Sequence, residues 1–417
     1  QDNTILPFGK IRFSWAQVGN DTDPYRLAYN YIPVDNFGNN PNYRLSLQLN
    51  NPELLPEETS SWEVGFDLRW LQNRLGLDFT YYDMKTINQI IPVATSAATG
   101  YTTQLINAGE MTNKGIELQL YGTPVKAKSQ GEFNWDITIN YASNDNEVVE
   151  LAEGVDSYRL GSIFGAEVHA EVGQPFGSIR ANNFVFDSEG NKVVGTNGRY
   201  LNGPIESIGS VLPDFNMGFL NEFRYKNFDL SVLIDWQKGG SLFSLTNMWG
   251  IYSGILEETA ATNANGKNVR DDIADGGGVL IDGVYGYTSL DEEGNTIVNW
   301  TDAEGNPSNV PVQNTTYIDG VTWAADHYSR ARGGQNTFDA DYIKLREIKL
   351  GYTFKMNSSS PISGLNVALY GRNLAIWGRD IEHIDPEFAT SSGNVQGIEG
   401  GQLPGLRSYG INLTFNF

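Results

Sequence analysis

The sequence predicts an all-β fold, a transmembrane antiparallel β-barrel. Three observations predict it: stretches of about ten residues that alternate apolar and polar, connections that alternate long and short, and charges confined to one face of the alternation. The final stretch shows the pattern plainly. Tyr409, Ile411, Leu413, Phe415 and Phe417 share one face; Ser408, Gly410, Asn412, Thr414 and Asn416 share the other. A strand has a side-chain period of two, so this is a two-faced element. In water so apolar an end is an aggregation-prone edge, whereas ~10 residues with one apolar face span a bilayer as a barrel strand. The last strand of a soluble sandwich would look the same in isolation, and the rest of the chain separates the two.

Composition sets the bounds. The 417 residues include 46 Gly, 21 Tyr, 20 Phe and 9 Trp, rich in strand and turn formers and in the aromatics that girdle a membrane barrel. Mean hydropathy is −0.35, and no apolar run approaches the ~20 residues of a membrane helix. Barrel strands escape such a scan because half of each is polar. With no cysteine, disulfides, thiolate metal sites and cysteine nucleophiles are excluded. A net charge of −22 makes nucleic acid an improbable partner.

Nine further stretches alternate. In 9–18, Ile11, Phe13 and Trp15 oppose Arg12, Ser14 and Ala16. In 60–71, Trp62, Val64, Phe66, Leu68 and Trp70 oppose Glu63, Gly65, Asp67 and Arg69. Leu75, Leu77, Phe79 and Tyr81 share a face of 74–83, and Ile116, Leu118 and Leu120 one of 113–122. Phe133, Trp135, Ile137, Ile139 and Tyr141 do so in 131–143. Phe215, Met217, Phe219, Phe223 and Tyr225 mark 214–225, and Phe228, Leu230, Val232, Ile234 and Trp236 mark 228–238. The stretch 341–354 carries a phase break near Arg346-Glu347, which predicts a bulge. Leu365, Val367 and Leu369 mark the ninth strand.

The connections are 19–59, 72–73, 85–112, 123–130, 144–214, 226–227, 239–340, 355–363 and 377–406. Outer-membrane barrels pair long extracellular loops with short periplasmic turns. A periplasmic C-terminus then places 19–59, 85–112, 144–214, 239–340 and 377–406 outside. A soluble sandwich has no reason to alternate in this way. The inward faces carry Glu63, Asp67, Arg69, Asp78, Glu117, Glu132, Asp136, Glu222, Arg224, Asp229 and Asp235. Facing lipid, each would cost up to ~2–4 kcal/mol, so the lumen is wet or plugged and the barrel wide. Ten strands are too few for such a lumen, so the sheet is expected not to close on itself.

Several short stretches occur in order along nearly the whole chain: Ser61-Trp62-Glu63-Val64-Gly65-Phe66, Asn113-Lys114-Gly115-Ile116-Glu117, Val172-Gly173-Gln174-Pro175-Phe176-Gly177-Ser178-Ile179, Tyr225-Lys226-Asn227-Phe228-Asp229-Leu230, Gly239-Gly240, Tyr342-Ile343-Lys344-Leu345-Arg346, Leu350-Gly351-Tyr352-Thr353, Gly371-Arg372-Asn373-Leu374 and Asp385-Pro386-Glu387. Together they resemble the barrel motifs of the SusC/RagA-type TonB-linked outer-membrane transporters of Bacteroidetes. The resemblance implies a barrel of about 22 strands around an N-terminal plug. It also implies import of a large nutrient, oligosaccharide or peptide, beneath a SusD-like surface lipoprotein, energised by TonB through a TonB box. Residues 1–417 match only the C-terminal portion of such a barrel; the plug, the TonB box and the early strands have no counterpart here.

Enzymatic chemistry is not legible, and the chain is expected not to be an enzyme or to hold a cofactor or metal. His169, His327 and His383 lack ligand spacing and are expected on loop surfaces. Asp271-Asp272-Ile273-Ala274-Asp275-Gly276 lacks the ligand spacing and closing Glu of a calcium loop. The loop aromatics Trp249, Tyr252, Tyr285, Tyr287, Trp300 and Trp323 are the substrate-binding candidates. The alternative is that they pack the loops on one another or on a protein partner. A barrel that merely anchors a surface adhesin or enzyme is the competing function.

Overall fold

The computed structural model describes residues 6–129, 131–356, 362–388, 393 and 395–416. Ten strands form one antiparallel sheet: β1 (Phe8–Asn20), β2 (Glu57–Trp70), β3 (Leu75–Ile87), β4 (Glu110–Val125), β5 (Asn134–Glu150), β6 (Pro213–Tyr225), β7 (Phe228–Gly239), β8 (Tyr342–Lys355), β9 (Gly364–Trp377) and β10 (Ser408–Asn416). They lie side by side in chain order. These are the ten expected strands, several of them longer than the alternation alone marked. Phe417 lies outside the described residues.

Register keeps the two faces apart. Phe13 sits opposite Val64, Val64 opposite Tyr81 and Tyr81 opposite Ile116, one apolar row across four strands. The neighbouring row is Arg12, Gly65, Thr80, Glu117, Ala142 and Asn216. Since a one-residue slip would exchange the faces, the pattern itself fixes the pairing. Glycines on the polar face have a packing reason. Tyr82 is paired with Gly115, Tyr121 with Gly76 and Tyr370 with Gly410. A Cβ at Gly115 would stand 2.3 Å from the Tyr82 hydroxyl, and one at Gly76 2.0 Å from the Tyr121 ring. The tyrosine ring covers the glycine on the adjacent strand, offsetting the weakness of Gly in a strand interior.

The expected bulge is present. Leu233 pairs with Glu347 and Ile234 with Leu345, leaving Arg346 as the extra residue. Before it Lys344 faces the polar side opposite Asp235; after it the parity changes and Lys349 lies opposite Ser231. One placement is corrected. Strand β5 begins at Asn134, so Glu132 belongs to the preceding turn and not to the wall. There its carboxylate accepts the Lys128 N–H at 2.9 Å and the Ser129 hydroxyl at 2.7 Å. Among the described residues β1 pairs only with β2 within this sheet and β10 only with β9, so the sheet is open, as expected.

The buried core lies in the long connections rather than in the sheet. In 151–212, Ser157–Ile163, Ala166–Glu171, Ser178–Asn182 and Ile205–Ser210 form a four-stranded sheet where the sequence suggested irregular chain. The connection 240–341 holds helix α1 (Leu245–Tyr252), helix α2 (Gly320–Tyr328) and a hairpin of Val284–Leu290 with Thr296–Trp300. The two connections interlock: Val193–Val194 runs parallel to Val284 and Tyr285. Val168, Ile179, Phe243, Leu245 and Met248 pack together, each no more than 3% exposed. A barrel buries no comparable core, because its apolar face meets lipid. Among the described residues no helix is long and apolar enough to cross a membrane.

Three turns in this loop unit repeat Asp-x-Glu-Gly-Asn, at Asp187–Asn191, Asp291–Asn295 and Asp302–Asn306. In each, Asp Oδ1 accepts the backbone N–H four residues on, at 2.8, 2.7 and 2.8 Å. The Asn side-chain amide donates to Oδ2 at 3.0, 3.1 and 2.8 Å. The glycines sit at φ 85, 86 and 87°, a conformation Gly adopts without the Cβ penalty.

Candidate functional site

The polar face of the sheet is hollowed. A cavity of about 650 Å³ runs over it, lined by Arg12, Asp78, Thr80, Glu117, Gln119, Asn140, Asn216 and Asp235 among others. Its charges answer one another across strands. Arg12 on β1 crosses Gly65 on β2 and donates to Asp78 Oδ2 on β3 at 3.1 Å and to Thr80 Oγ1 at 3.2 Å. Asp136 pairs with Arg224 and accepts from Thr123 and Asn134, both at 2.7 Å. Glu117, in the same lining, is exposed and makes no ion pair among the described residues, so the wall keeps free carboxylate beside its paired charges.

At the long-connection rim, two of the motifs singled out in the sequence meet. The bulge at Arg346 sets Lys344 and Arg346 beside Asp385 and Glu387 of the β9–β10 connection. Lys344, only 4% exposed, places Nζ 2.5 Å from Asp385 Oδ1 and also pairs with Glu387. Arg346 donates to Glu387 Oε2 at 2.8 Å and to Asp235 Oδ2 at 2.9 Å, and the Tyr342 hydroxyl donates to Glu387 at 2.9 Å. Burial pushes the Glu387 carboxyl up, but the hydrogen bonds from Arg346 and Lys344 outweigh it and hold it down at about 2. Asp385 and Glu387 thereby clamp their part of the β9–β10 connection to the wall.

The six aromatic candidates separate into groups. Trp249 and Tyr252 both belong to α1. Trp249 meets the edge of Phe164 at 5.3 Å, and Tyr252 stacks on Tyr328 at 4.4 Å. Tyr252 and Trp323 line one cleft of about 810 Å³ between α1 and α2. Tyr285 is fully buried beside Val194, Ile281 and Ile318, its hydroxyl 2.6 Å from Thr316 Oγ1. Trp300 packs against Val185, Val193 and Val284, and its Nε1–H donates to Asp187 Oδ2 at 2.9 Å. Tyr287 stands exposed on the same hairpin as Tyr285 and Trp300, opposite Asn299. Trp249, Tyr252 and Tyr287 are thus exposed, Trp323 lines the cleft with its other side on the Tyr285 cluster, and Tyr285 and Trp300 hold the loop unit together.

His169 and His327 are buried rather than on loop surfaces, which corrects the expectation for those two; His383 is half-buried. His169 is 8% exposed, bonded to Ser157 Oγ at 2.6 Å and Glu167 Oε2 at 2.8 Å. His327 is 9% exposed beside Asn336, and burial lowers its pKa. Burial lowers that of His383 as well. Interlocked loops with their own core bury residues that a simple loop would leave wet. Among the described residues no three His, Asp or Glu side chains cluster to hold a metal ion. Sequence reasoning missed the loop unit's ionic centre: Asp326, 1% exposed, accepts from Arg199 Nε at 3.0 Å with Arg332 Nε 3.6 Å away. Arg199 and Asp326 are 127 positions apart, and no local pattern marks the pair.

An open two-faced sheet with a charged inner wall and long, structured connections defines a large outer-membrane barrel. Residues 3–291 match the family model described as TonB dependent receptor-like, beta-barrel, and the chain belongs to that family of outer-membrane proteins. A TonB-dependent receptor of Formosa agariphila is 27% identical over 97% of this chain and 40% of its own length. The TonB-dependent receptor SusC of Bacteroides thetaiotaomicron is 26% identical over 64% of this chain and 29% of its own. The fold matches the solved structure of the RagAB peptide transporter at a TM-score of 0.66 and 19% identity, covering 99% of this chain and 41% of that one. The resemblance to SusC/RagA-type transporters read from the sequence is thus borne out. The chain spans about 40% of the length of the first of these relatives.

Proposed function

We propose that this chain forms the C-terminal wall of a TonB-dependent importer that takes a large nutrient, an oligosaccharide or a peptide, across the outer membrane. The observation that carries the reading is the breadth of the polar face: a cavity of about 650 Å³ lined from β1 to β7. A barrel that serves only as an anchor needs no wet, charge-lined wall of that extent. The open edges at β1 and β10 are paired, in this reading, by strands of a longer protein, because unpaired backbone in lipid costs several kcal/mol per group. A plug and a TonB box outside these residues couple transport to TonB. The C-terminus is periplasmic, the long connections are extracellular, and a SusD-like surface lipoprotein seats on them, chiefly on 240–341. Trp249, Tyr252 and Trp323 are the substrate-contacting aromatics of first choice.

The second reading, a barrel anchoring a surface adhesin or enzyme, draws on the ordered loop unit with its own core. Two measurements decide. Affinity purification of the intact tagged protein from detergent-solubilised outer membrane should recover a surface lipoprotein, and disrupting its gene should abolish growth on one large nutrient. Unimpaired growth on every nutrient, with loss of surface adhesion or hydrolysis, would overturn import in favour of the anchor.

A further inference from the structure

The four-stranded loop sheet has one apolar and one polar face. Ala166, Val168, Ile179 and Ala181 point into the core. Glu167 lies opposite Arg180, and Arg159 opposite His169, on the other side. A hollow of about 440 Å³ opens on that side, lined by Arg159, Arg180, Arg330, Glu167 and the ring of Phe164 among others. Within this lining three guanidinium groups face one carboxylate, with a second, Glu171, 3.8 Å from Arg180, in a chain of net charge −22.

The three arginines are unequally engaged. Arg159 donates to Glu167 at 3.1 Å, but Glu167 also takes a hydrogen bond from His169 at 2.8 Å. Arg180 reaches Ser157 Oγ at 3.4 Å and lies 3.8 Å from Glu171. Arg330 is exposed, makes no ion pair among the described residues and sits 5.8 Å from the centre of the Phe164 ring. Phe164 continues into the aromatic group of Trp249, Tyr252 and Tyr328, which are 39, 51 and 40% exposed. An unpaired guanidinium beside a second one is suited to a carboxylate, which it grips bidentately. Flat exposed rings alongside suit the face of a sugar.

We propose that this hollow binds the carboxylate of a uronic acid residue in an acidic oligosaccharide, with the Trp249 and Tyr252 rings carrying the neighbouring sugars. The inference rests on the import reading and narrows its substrate class. An acidic peptide is less well matched. The hollow opens on the face of the sheet, where side chains and not the backbone edges that bind extended peptides do the recognising.

The test uses the intact protein in detergent and a panel of defined oligouronates, each beside its neutral methyl ester and a glutamate-rich peptide of equal charge. At least one oligouronate should bind at least tenfold more tightly than its ester, and added salt should weaken that preference. Arg159→Gln with Arg330→Gln should reduce the preference below threefold, while Arg330→Lys retains part of it. No preference for any oligouronate, or a preference unchanged in the double variant, would overturn the proposal. So would a peptide that binds as tightly as the best oligouronate and weakens in the same variants. Normal recovery of the lipoprotein partner and uptake of a neutral nutrient would confine any such failure to the hollow, leaving import standing.

Discussion

Arg12 reaches Asp78 two strands away, Nη1 to Oδ2 at 3.1 Å, by lying across Gly65 of the strand between them. A Cβ at Gly65 would stand 3.0 Å from the Arg12 guanidinium and 3.1 Å from the Phe79 carbonyl oxygen. The arginine can move; the carbonyl cannot. Gly65→Ala should therefore lower the temperature at which the folded barrel loses its shifted mobility on a denaturing gel, and Gly65→Val should lower it further. Asp78→Asn keeps the shape and loses only a half-exposed ion pair, so it should cost no more than about 1 kcal/mol. Equal behaviour of Gly65→Val and wild type would show that the crossing has no structural weight.

The Lys344 clamp should respond to mutation. Asp385→Asn with Glu387→Gln leaves a buried ammonium without a counter-charge and should cost roughly 3 kcal/mol of local stability. Hydrogen exchange in 378–407 should rise, with little change in the strands β2 to β5. Exchange confined to wild-type rates would contradict the clamp.

The same clamp carries a pH dependence. Glu387 is held at about 2, below its ordinary 4.5, so its contribution is complete above pH 4.5 and is lost as pH falls towards 2. Protease nicking within 378–407 should increase over that window and not between pH 5 and pH 7. The Glu387→Gln protein should lack the transition.

Asp187 anchors a repeated turn and accepts the Trp300 indole N–H at 2.9 Å. Asp187→Ala leaves that donor and two backbone N–H groups without acceptors, which should cost about 1–3 kcal/mol in the loop unit. A blue-shifted or quenched Trp300 fluorescence signal that is the same in both proteins would count against it.

Topology can be read with single cysteines in the intact, otherwise cysteine-free sequence. Asn265→Cys, in the long connection after β7, should be labelled by an impermeant thiol reagent on whole cells; Asn227→Cys, in the turn between β6 and β7, should not. The reverse result would invert the orientation.

The strands were legible because the membrane imposes a strict rule: every second side chain meets lipid. Even the bulge at Arg346 announced itself as a break in parity. The loop unit was not legible, because strands such as Ala166–Glu171 are short and buried on one side by distant chain. The arginine hollow was invisible for the same reason. Arg159, Arg180 and Arg330 come from separate segments: pairing within the loop sheet brings Arg159 and Arg180 together, and the packing of α2's end against the Phe164 turn adds Arg330. Of the six aromatics, residue type could not separate the exposed Trp249 and Tyr252 from Tyr285, whose burial depends on partners far along the chain.

The ten strands as an open arc of a wider barrel are tested most directly by cryo-electron microscopy of the intact protein in nanodiscs. The strand containing Phe13 and the strand containing Leu413 should lie apart, each hydrogen-bonded on its outer side to a strand that is not among these ten. Direct backbone pairing of Phe8–Asn20 with Ser408–Asn416 would show a closed ten-strand barrel and contradict the importer.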